Sequence, residues 1–343
     1  MISGELDEFL EHETMTCPHV RMGMVELINQ ISTYKEEGKL LFPEIFITDS
    51  LKAITEPLVG CELTPIGKAP KSNKVIIKAL KKCAPLATGD WNIYIVSNGQ
   101  NFEYGLFRAG FSIVSIPISQ SLLTAGNPES NLILVHQISD KIVEVVGVKG
   151  NTLVVNFGIK STVGLNPLAV QDQFIEAILA KVDDAVKDQC RIFLNRLFLY
   201  VTQNGHGNLS LVIDKGESCP DFLQDGVVLE NKISFAEKIA ELNRSSSQES
   251  GLNILEVNAK LNGVFNLMSG MMMSDGITIF SNDGCVLAYN IFLKHPEDDP
   301  NLKLVEGGAR SRTYYVMTTK LSEKITAAFI QSQDGQTQTK TYE

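Results

Sequence analysis

The apolar residues of this chain occur in short runs, about as long as β-strands, and turn residues separate these runs. Residues 111–118 and 132–135 are two examples, and no run approaches the roughly 18 to 20 apolar residues that a membrane-spanning helix needs. Apolar residues at helical spacing occur between several of the runs. The pattern predicts a folded protein that contains both strands and helices and has no membrane anchor.

Length and charge limit the classes of protein further. A chain of 343 residues is expected to form two domains, or three, at roughly 150 residues each. Forty acidic and thirty basic side chains give a net charge of −10, which counts against a dedicated nucleic-acid binder. The N-terminus becomes acidic at Glu5, unlike a signal peptide. We therefore expect a cytoplasmic protein, in which a local basic site for a phosphorylated small molecule is still allowed.

The cysteines do not predict a metal site. Six of them are scattered at long, irregular intervals, without a C-x-x-C pair or a histidine at zinc-ligand spacing. Cys17-Pro18-His19 is the nearest approach to a cluster of ligands. Reduced cysteines are the simplest interpretation.

Residues 1–165 are predicted to form a smaller, β-rich α+β domain. Its predicted elements are a helix at 20–35, a loop or linker at 64–73, a strand at 92–96, an edge strand at 111–118 and a hairpin of 141–148 with 152–157. Pro117 favours the edge position because proline cannot donate a hydrogen bond to a neighbouring strand. No catalytic signature occurs in this region, so we interpret it as a regulatory or packing domain.

A helical segment is expected at 166–205, because Asn166 and Pro167 are typical of a helix start. Either one connecting helix or two packed helices would fit its length. Strands and helices then alternate through residues 206–343, which predicts an α/β domain with a mixed sheet flanked by helices. The predicted elements are strands at 208–214, 277–280, 285–292 and 325–330, a last short strand, and helices at 234–242, 255–273 and 310–322. Residues 281–284 (SNDG) predict a turn that joins 277–280 and 285–292 in a hairpin.

Two motifs in the last 70 or so residues could carry chemistry. Asp275 and Gly276 lie between a predicted helix and a predicted strand. A carboxylate beside a flexible glycine suits a hard cation or the deprotonation of a hydroxyl group, although Asp-Gly is also a common turn.

The second motif is residues 307–313 (GGARSRT), at the start of a predicted helix. Glycine lets a backbone approach closely, amide groups at a helix start favour anions, and arginine and hydroxyl side chains bind phosphate. Its candidate phosphate-binding residues are Gly308, Arg310, Ser311, Arg312 and Thr313. The alternative is a solvated helix start. Residues two apart do not share a helix face, so both arginines reach one polyphosphate only if the helix is just beginning.

Taken together, the motifs resemble the diadenylate cyclase (DAC) domain family. Asp275-Gly276-Ile277 stands for the family's D-G-A motif, residues 308–313 stand for G-T-R-H-R-T, and residues 332–334 (SQD), which begin with Ser332, stand for S-E-E. The strand at 206–213 resembles the family's opening strand. The resemblance covers about the last 140 to 150 residues, and residues 1–165 resemble the sensor-like regions that precede some of these domains.

The resemblance implies condensation of two ATP molecules into cyclic di-AMP with release of two pyrophosphates. Asp275 would bind Mg²⁺ or Mn²⁺ and help the ribose 3′-hydroxyl to attack, and Gly276 would let the nucleotide pack close. The residues at 308–313, together with Ser332, would hold the triphosphate. Each domain binds one ATP, so the resemblance also implies a homodimer or larger assembly with facing sites, and a sensor domain whose ligand is unknown.

Three positions depart from the family's motifs: Ile277 replaces alanine, Ala309 replaces threonine and Ser311 replaces histidine. The substitution at Ser311 favours an alternative, a degenerate domain that binds ATP or the cyclic dinucleotide without turnover. Asp275 argues against it, since binding alone needs no catalytic carboxylate. A structural or interaction protein with coincidental motifs is the third interpretation.

Overall fold

The structure is a computed structural model that describes residues 2–110, 112–125, 131–158, 167–245, 254–294, 308–332 and 336–342. The chain divides into two compact units. Unit 1 contains Met1–Phe111 and Ile116–Ser161, and unit 2 contains Ser112–Ser115 and Thr162–Glu343. Both units are mixed α/β, each built on a mixed β-sheet flanked by helices.

The sheet of unit 1 has seven strands within the described residues. In chain order they are β3 (Ile45–Thr48), β4 (Glu62–Pro70), β5 (Asn92–Asn98), β6 (Asn101–Arg108), β7 (Leu132–Ser139), β8 (Ile142–Gly147) and β9 (Thr152–Asn156). Their spatial order is β4-β6-β5-β3-β7-β8-β9, in which β3 and β5 are parallel and the other pairs are antiparallel. Two short strands, β1 (Lys35–Glu36) and β2 (Lys39–Leu40), form a separate hairpin.

Helices cover both faces of this sheet. They are α1 (Ile2–His12), α2 (Pro18–Ile31), α3 (Lys52–Thr55), α4 (Asn73–Cys83) and α5 (Ile118–Ala125), with a 3₁₀ turn at Ala84–Leu86. One face carries α1, α2 and α4, whose apolar stripes pack on inward side chains such as Ile47 and Ile95. The other face packs α3 and α5 on side chains such as Phe46 and Leu134. Alternation along each strand therefore supplies both cores.

The sheet of unit 2 also has seven strands within the described residues. They are β10 (Asn208–Ile213), β11 (Leu223–Gln224), β12 (Val227–Ser234), β13 (Ile277–Ser281), β14 (Cys285–Leu293), β15 (Ile325–Gln331) and β16 (Thr337–Thr341). The order is β11-β14-β13-β10-β15-β16, and β12 also pairs with β14. β10 and β13 are parallel, and β15 runs antiparallel to β10.

Helices again flank the sheet of unit 2. They are α6 (Pro167–Ile178), α7 (Asp184–Asn204), α8 (Phe235–Ser245), α9 (Ile254–Met273) and α10 (Ala309–Thr319). The first four pack on one face around a group of aromatic rings, in which Phe329 lies 5.3 Å from Phe174 and 5.4 Å from Phe198 between ring centroids. The other face carries α10, which buries Val316 and Met317.

The structure corrects several sequence predictions. Residues 64–73 lie mostly in β4 rather than in a loop, and residues 112–117 contain no strand before α5 begins. The segment predicted at 166–205 as one connecting helix or two packed helices contains two helices, α6 and α7, and both pack in the core of unit 2. The predicted hairpins β8–β9 and β13–β14 are present. Residue 166, the predicted helix cap, and residues 333 and 334 of the last motif lie outside the described residues.

The helices of the described residues do not combine the length and the apolar character that crossing a membrane requires. All six cysteines are free thiols. Burial raises the pKa of the Cys190 thiol to about 12 and that of Cys83 to about 11.

Candidate functional site

Both sequence motifs lie at one edge of the sheet of unit 2. Leu209 of β10 is paired with Ile277 of β13, and Asn208 is paired with Gln331 of β15. Because of this register, the residues that precede β10, those that precede β13 and those that follow β15 share an edge. The start of α10 reaches the same edge, because the Arg310 side chain forms an ion pair with Asp275. We call this region the Asp275 edge.

The turn before β13 requires glycine. Gly276 has a φ of +87°, in the left-handed region that L residues with side chains rarely adopt. A Cβ atom there would lie 2.8 Å from the carbonyl oxygen of Ile291 and 2.9 Å from the carbonyl carbon of Asn290, both on β14. Gly276 therefore holds the turn close to β14 and fixes the position of Asp275 beside it.

Hydrogen bonds tie the end of α9 to this turn and to β10. The Ser274 backbone amide donates to the Gly270 carbonyl at 3.1 Å, and the Ser274 hydroxyl donates to the Met271 carbonyl at 2.6 Å. From β10, the Asn208 amide donates to the Met272 carbonyl at 2.6 Å and is itself oriented by the Ser210 hydroxyl at 2.7 Å. These bonds are buried or partly buried, so they position the Asp275 backbone firmly.

A second glycine lies beneath the guanidinium group of Arg310. Gly207 immediately precedes β10 and has a φ of +106°. A Cβ atom at this position would meet the Gln331 carbonyl oxygen at 2.8 Å and the Arg310 side chain at 3.3 Å and 3.4 Å. The absent side chain leaves the space that Arg310 occupies. Gly207 was not among the predicted site residues, because its only signal in the sequence is a glycine directly before a predicted strand.

The structure brings the two motifs together through one ion pair. Nη2 of Arg310 lies 3.8 Å from Oδ1 of Asp275, with exposed side-chain fractions of 35% and 79%. Exposed pairs of this kind contribute only about 0 to 1 kcal/mol. A ligand can therefore separate the carboxylate from the guanidinium at little cost, and both groups are accessible from solvent.

The remaining residues of the second motif begin α10. Gly308 is the N-cap residue in an extended conformation, and the Arg312 amide donates to its carbonyl at 3.2 Å. Arg312 is exposed, whereas Ser311 and Thr313 are partly exposed. Arg310 and Arg312 lie on different sides of the helix, because residues two apart do not share a face. Within the described residues, only Arg310 forms an ion pair with Asp275. The helix start therefore offers amide, hydroxyl and guanidinium donors to an anion.

Ser332 lies immediately after β15, at the same edge of the sheet. Its amide donates to the Gln336 carbonyl at 2.8 Å, and its hydroxyl accepts from the Gln336 amide at 3.1 Å. Between described residues, no hydrogen bond joins Ser332 to Asp275 or Arg310. Its role within the described residues is to fix the turn that follows β15.

Ile277, which replaces the alanine of the resembled family's motif, is fully buried in the core beneath α10. If the resemblance held in detail, the additional bulk of Ile277 would lie beside a nucleotide, but the side chain belongs to the same hydrophobic cluster as Leu209 and Ile330. This substitution therefore fills the core and does not narrow the Asp275 edge.

The side chains of the Asp275 edge suit one mode of divalent-cation binding. No group of three or more His, Cys, Asp or Glu side chains that could hold a metal occurs among the described residues. Asp275 supplies one accessible carboxylate. Mg²⁺ keeps several of its waters and commonly binds one or two carboxylates plus the phosphates of a substrate. The edge therefore suits a cation that arrives with a nucleotide, not a cation held by protein ligands alone.

Comparison of the chain with protein-family models, with curated proteins and with solved structures finds no match.

Proposed function

We propose that the protein is a diadenylate cyclase that condenses two ATP molecules into cyclic di-AMP and two pyrophosphates. One observation carries the proposal: an accessible carboxylate, Asp275, lies 3.8 Å from Arg310, which begins α10. Nucleotidyl transfer needs a carboxylate near the attacking hydroxyl and cationic donors near the leaving phosphates. A cytoplasmic location is part of the proposal, because ATP is its substrate.

In the proposed reaction, the 3′-hydroxyl oxygen of one ATP bonds to the α-phosphorus of the other. The bond from that phosphorus to the β-phosphate oxygen breaks, pyrophosphate leaves, and a second, reciprocal step closes the ring. Asp275 orients the hydroxyl group and favours loss of its proton. Arg310 and Arg312, with the hydroxyl groups of Ser311 and Thr313 and with Ser332 nearby, hold the triphosphate and stabilise the charge on pyrophosphate.

Mg²⁺ or Mn²⁺ would supply charge neutralisation at the phosphates and would be held by Asp275 together with the nucleotide. Gly276 supports this role, because the turn that its positive φ allows packs against β14 and fixes the position of Asp275. One domain offers one such set of groups, so the proposal includes a symmetric pair of chains with facing sites.

A second candidate is a domain that binds ATP or the cyclic dinucleotide without turnover. One observation favours it: within the described residues, Asp275 does not belong to a group of three or more His, Cys, Asp or Glu side chains that could hold a metal. Ser311, where the resembled family has histidine, removes a further ligand for phosphate. Both candidates predict nucleotide binding, and only the first predicts product.

Asp275→Asn separates the candidates. If Asp275 is catalytic, this change should lower product formation by about a hundredfold or more, because it removes a charged group that acts in the transition state. The assay is purified protein with ATP and Mg²⁺ or Mn²⁺, followed by mass analysis of the nucleotides. The exposed side chain should leave folding unchanged.

The matched control is Asp221→Asn, which removes one carboxylate from an exposed position of the same unit. It should keep the parent's rate. Equal rates in the parent and in Asp275→Asn would contradict the catalytic assignment. ATP binding without product in the parent would favour the second candidate.

A further inference from the structure

A cavity of about 550 Å³ opens in unit 1, and none of its lining residues belongs to either sequence motif. Its size is within the range of about 300 to 1,000 Å³ that small-molecule sites occupy. Five separate chain segments contribute to its lining, which includes His19, Asp49, Lys71, Ser97 and Asn131. The site therefore exists only in the folded unit.

The sheet of unit 1 explains where the cavity forms. β3 and β5 are adjacent parallel strands, and both end at the cavity, with Asp49 directly after β3 and Ser97 near the end of β5. β7, antiparallel to β3, begins beside them after Asn131. Open α/β sheets commonly bind ligands in the crevice beyond the carboxyl ends of their parallel strands.

One wall of the cavity supplies positive charge. The Lys71 backbone amide donates to the Gln100 carbonyl at 2.9 Å, which fixes the residue at the end of β4. Its ammonium nitrogen lies 5.8 Å from the centre of the Phe102 ring, and no carboxylate among the described residues is within ion-pairing distance. The first turn of α2, with His19, lies on the same cavity and has no side-chain cap.

The groups after β3 supply a fixed hydrogen-bond acceptor. The Asn131 amide donates to one Asp49 oxygen at 2.8 Å. The Asn131 backbone carbonyl in turn accepts from the Thr48 hydroxyl at 2.6 Å. These bonds orient the Asp49 carboxylate and leave it acceptor capacity toward the cavity. The positive charge of Lys71 and the oriented carboxylate of Asp49 together suit a ligand that has an anionic end and hydroxyl donors.

We propose that this cavity binds a small organic phosphate that carries hydroxyl groups, such as a sugar phosphate. The phosphate faces Lys71 and the start of α2, and a hydroxyl group donates to Asp49. The inference is independent of the proposed cyclase activity, because none of its groups belongs to the Asp275 edge.

The test is calorimetric titration of the full chain with ribose 5-phosphate, inorganic phosphate and ribose. Ribose 5-phosphate should bind at least about tenfold more tightly than inorganic phosphate, and Lys71→Gln should weaken its binding about tenfold or more, through loss of a charge-assisted hydrogen bond. Asp49→Asn should reduce the preference for ribose 5-phosphate over inorganic phosphate. Parental affinity in Lys71→Gln, equal affinity for the two phosphates, or no heat with ribose 5-phosphate would overturn the proposal.

Two variants provide controls. Lys74→Gln removes the same charge three residues away, from an exposed position on α4 that does not line the cavity, and should bind like the parent. Arg310→Gln changes the Asp275 edge and should also leave ribose 5-phosphate binding intact. Loss of that binding in Arg310→Gln would assign the sugar phosphate to unit 2 and overturn the cavity site.

Discussion

The two units present their polar groups in different settings. At the Asp275 edge of unit 2, the carboxylate is 79% exposed and its described charged partner is Arg310. In unit 1, Lys71 and Asp49 line a cavity that five chain segments surround. The exposed edge has few walls of its own, so a substrate, a cation or a second chain must complete it. All the residues that line the cavity belong to unit 1, so this unit should bind its ligand without a second chain.

The first prediction tests whether the Asp275 edge needs a second chain. Dilution of the protein is the test, and its expected effect is the largest. One edge offers one Asp275 and one Arg310, whereas cyclic di-AMP needs two ATP molecules aligned with each other. Two chains that face across a two-fold axis supply both halves. Specific activity should therefore fall roughly in proportion to protein concentration, and by several hundredfold or more, when the protein is diluted far below the dissociation constant of the dimer.

Sedimentation paired with an activity titration measures this dependence. The affinity of unit 1 for ribose 5-phosphate is the internal control and should not change over the same range of concentrations. A monomer with constant specific activity would rule out the facing-site mechanism. If the affinity of the unit 1 cavity for ribose 5-phosphate also changed with protein concentration, the cavity, like the Asp275 edge, would depend on a second chain.

The second prediction concerns the two arginines of α10. Arg310→Gln should weaken ATP binding by about 1.5 to 3 kcal/mol, the value of a hydrogen bond to a charged group. Arg312→Gln should also weaken it, but by less, because Arg312 is more exposed and has no described contact with Asp275. Calorimetry with ATP in the presence of Mg²⁺ measures both changes.

Lys320→Gln is the control, since it removes a positive charge from the exposed end of the same helix. It should bind ATP like the parent. If Arg310→Gln and Lys320→Gln have the same affinity as the parent, the triphosphate binds elsewhere.

The sequence indicated the local elements of the Asp275 edge but gave no indication of the cavity, for a physical reason. The turn before β13 and the start of α10 are local features, and each is marked by glycine beside charged residues. These two features lie at the same edge because β10 and β13 pair in parallel, and the sequence alone does not predict this pairing. The cavity depends entirely on such pairing, since its lining residues are scattered between Met15 and Asn131.

The fold shows the same division between local and long-range signals. The hairpins β8–β9 and β13–β14 were predicted because turn residues such as Gly150 and Gly284, both with positive φ, lie between their strands. β4 was missed because Pro65 and Pro70 suggest a loop. It is an edge strand with a register shift after Pro65, a position that tolerates proline.

The third prediction tests the glycine that holds the exposed edge. Gly276→Ala should destabilise unit 2 by about 1 to 3 kcal/mol, because a side chain is disfavoured at its φ of +87° and would contact β14 at 2.8 Å. Gly308→Ala is the control, since its φ is −80° and no atom of the described residues lies within 4 Å of the added Cβ atom. It should change stability by much less.

Urea unfolding distinguishes the units. The chain has a single tryptophan, Trp91, which belongs to unit 1. Its fluorescence reports unit 1, and circular dichroism reports both units. Gly276→Ala should shift the circular dichroism transition and leave the Trp91 transition in place. A shift in the Trp91 transition would mean that the two units unfold together.

The last and smallest expected effect concerns a buried ionisable pair in unit 1. His136 of β7 lies opposite Glu144 of β8, with Nε2 2.9 Å from a carboxylate oxygen. Burial alone would lower the pKa of His136, but the hydrogen bond to Glu144 and the charges of Glu44 and Glu144 raise it above 6.5. The folded state therefore holds a proton that the unfolded chain releases more easily.

The sign of the pH dependence follows from that raised pKa. The stabilisation is fully present below pH 6.5, the ordinary value for histidine, and it is lost as the pH rises through the higher pKa of the folded state. The Trp91 unfolding midpoint in urea should therefore decrease as the pH rises above 6.5. In His136→Gln, whose amide can still donate to Glu144, the same midpoint should lose this dependence, whereas the transition of unit 2 should be unaffected in both proteins. A parent midpoint that rises over this range would show that burial outweighs the carboxylates and that His136 is neutral in the folded protein.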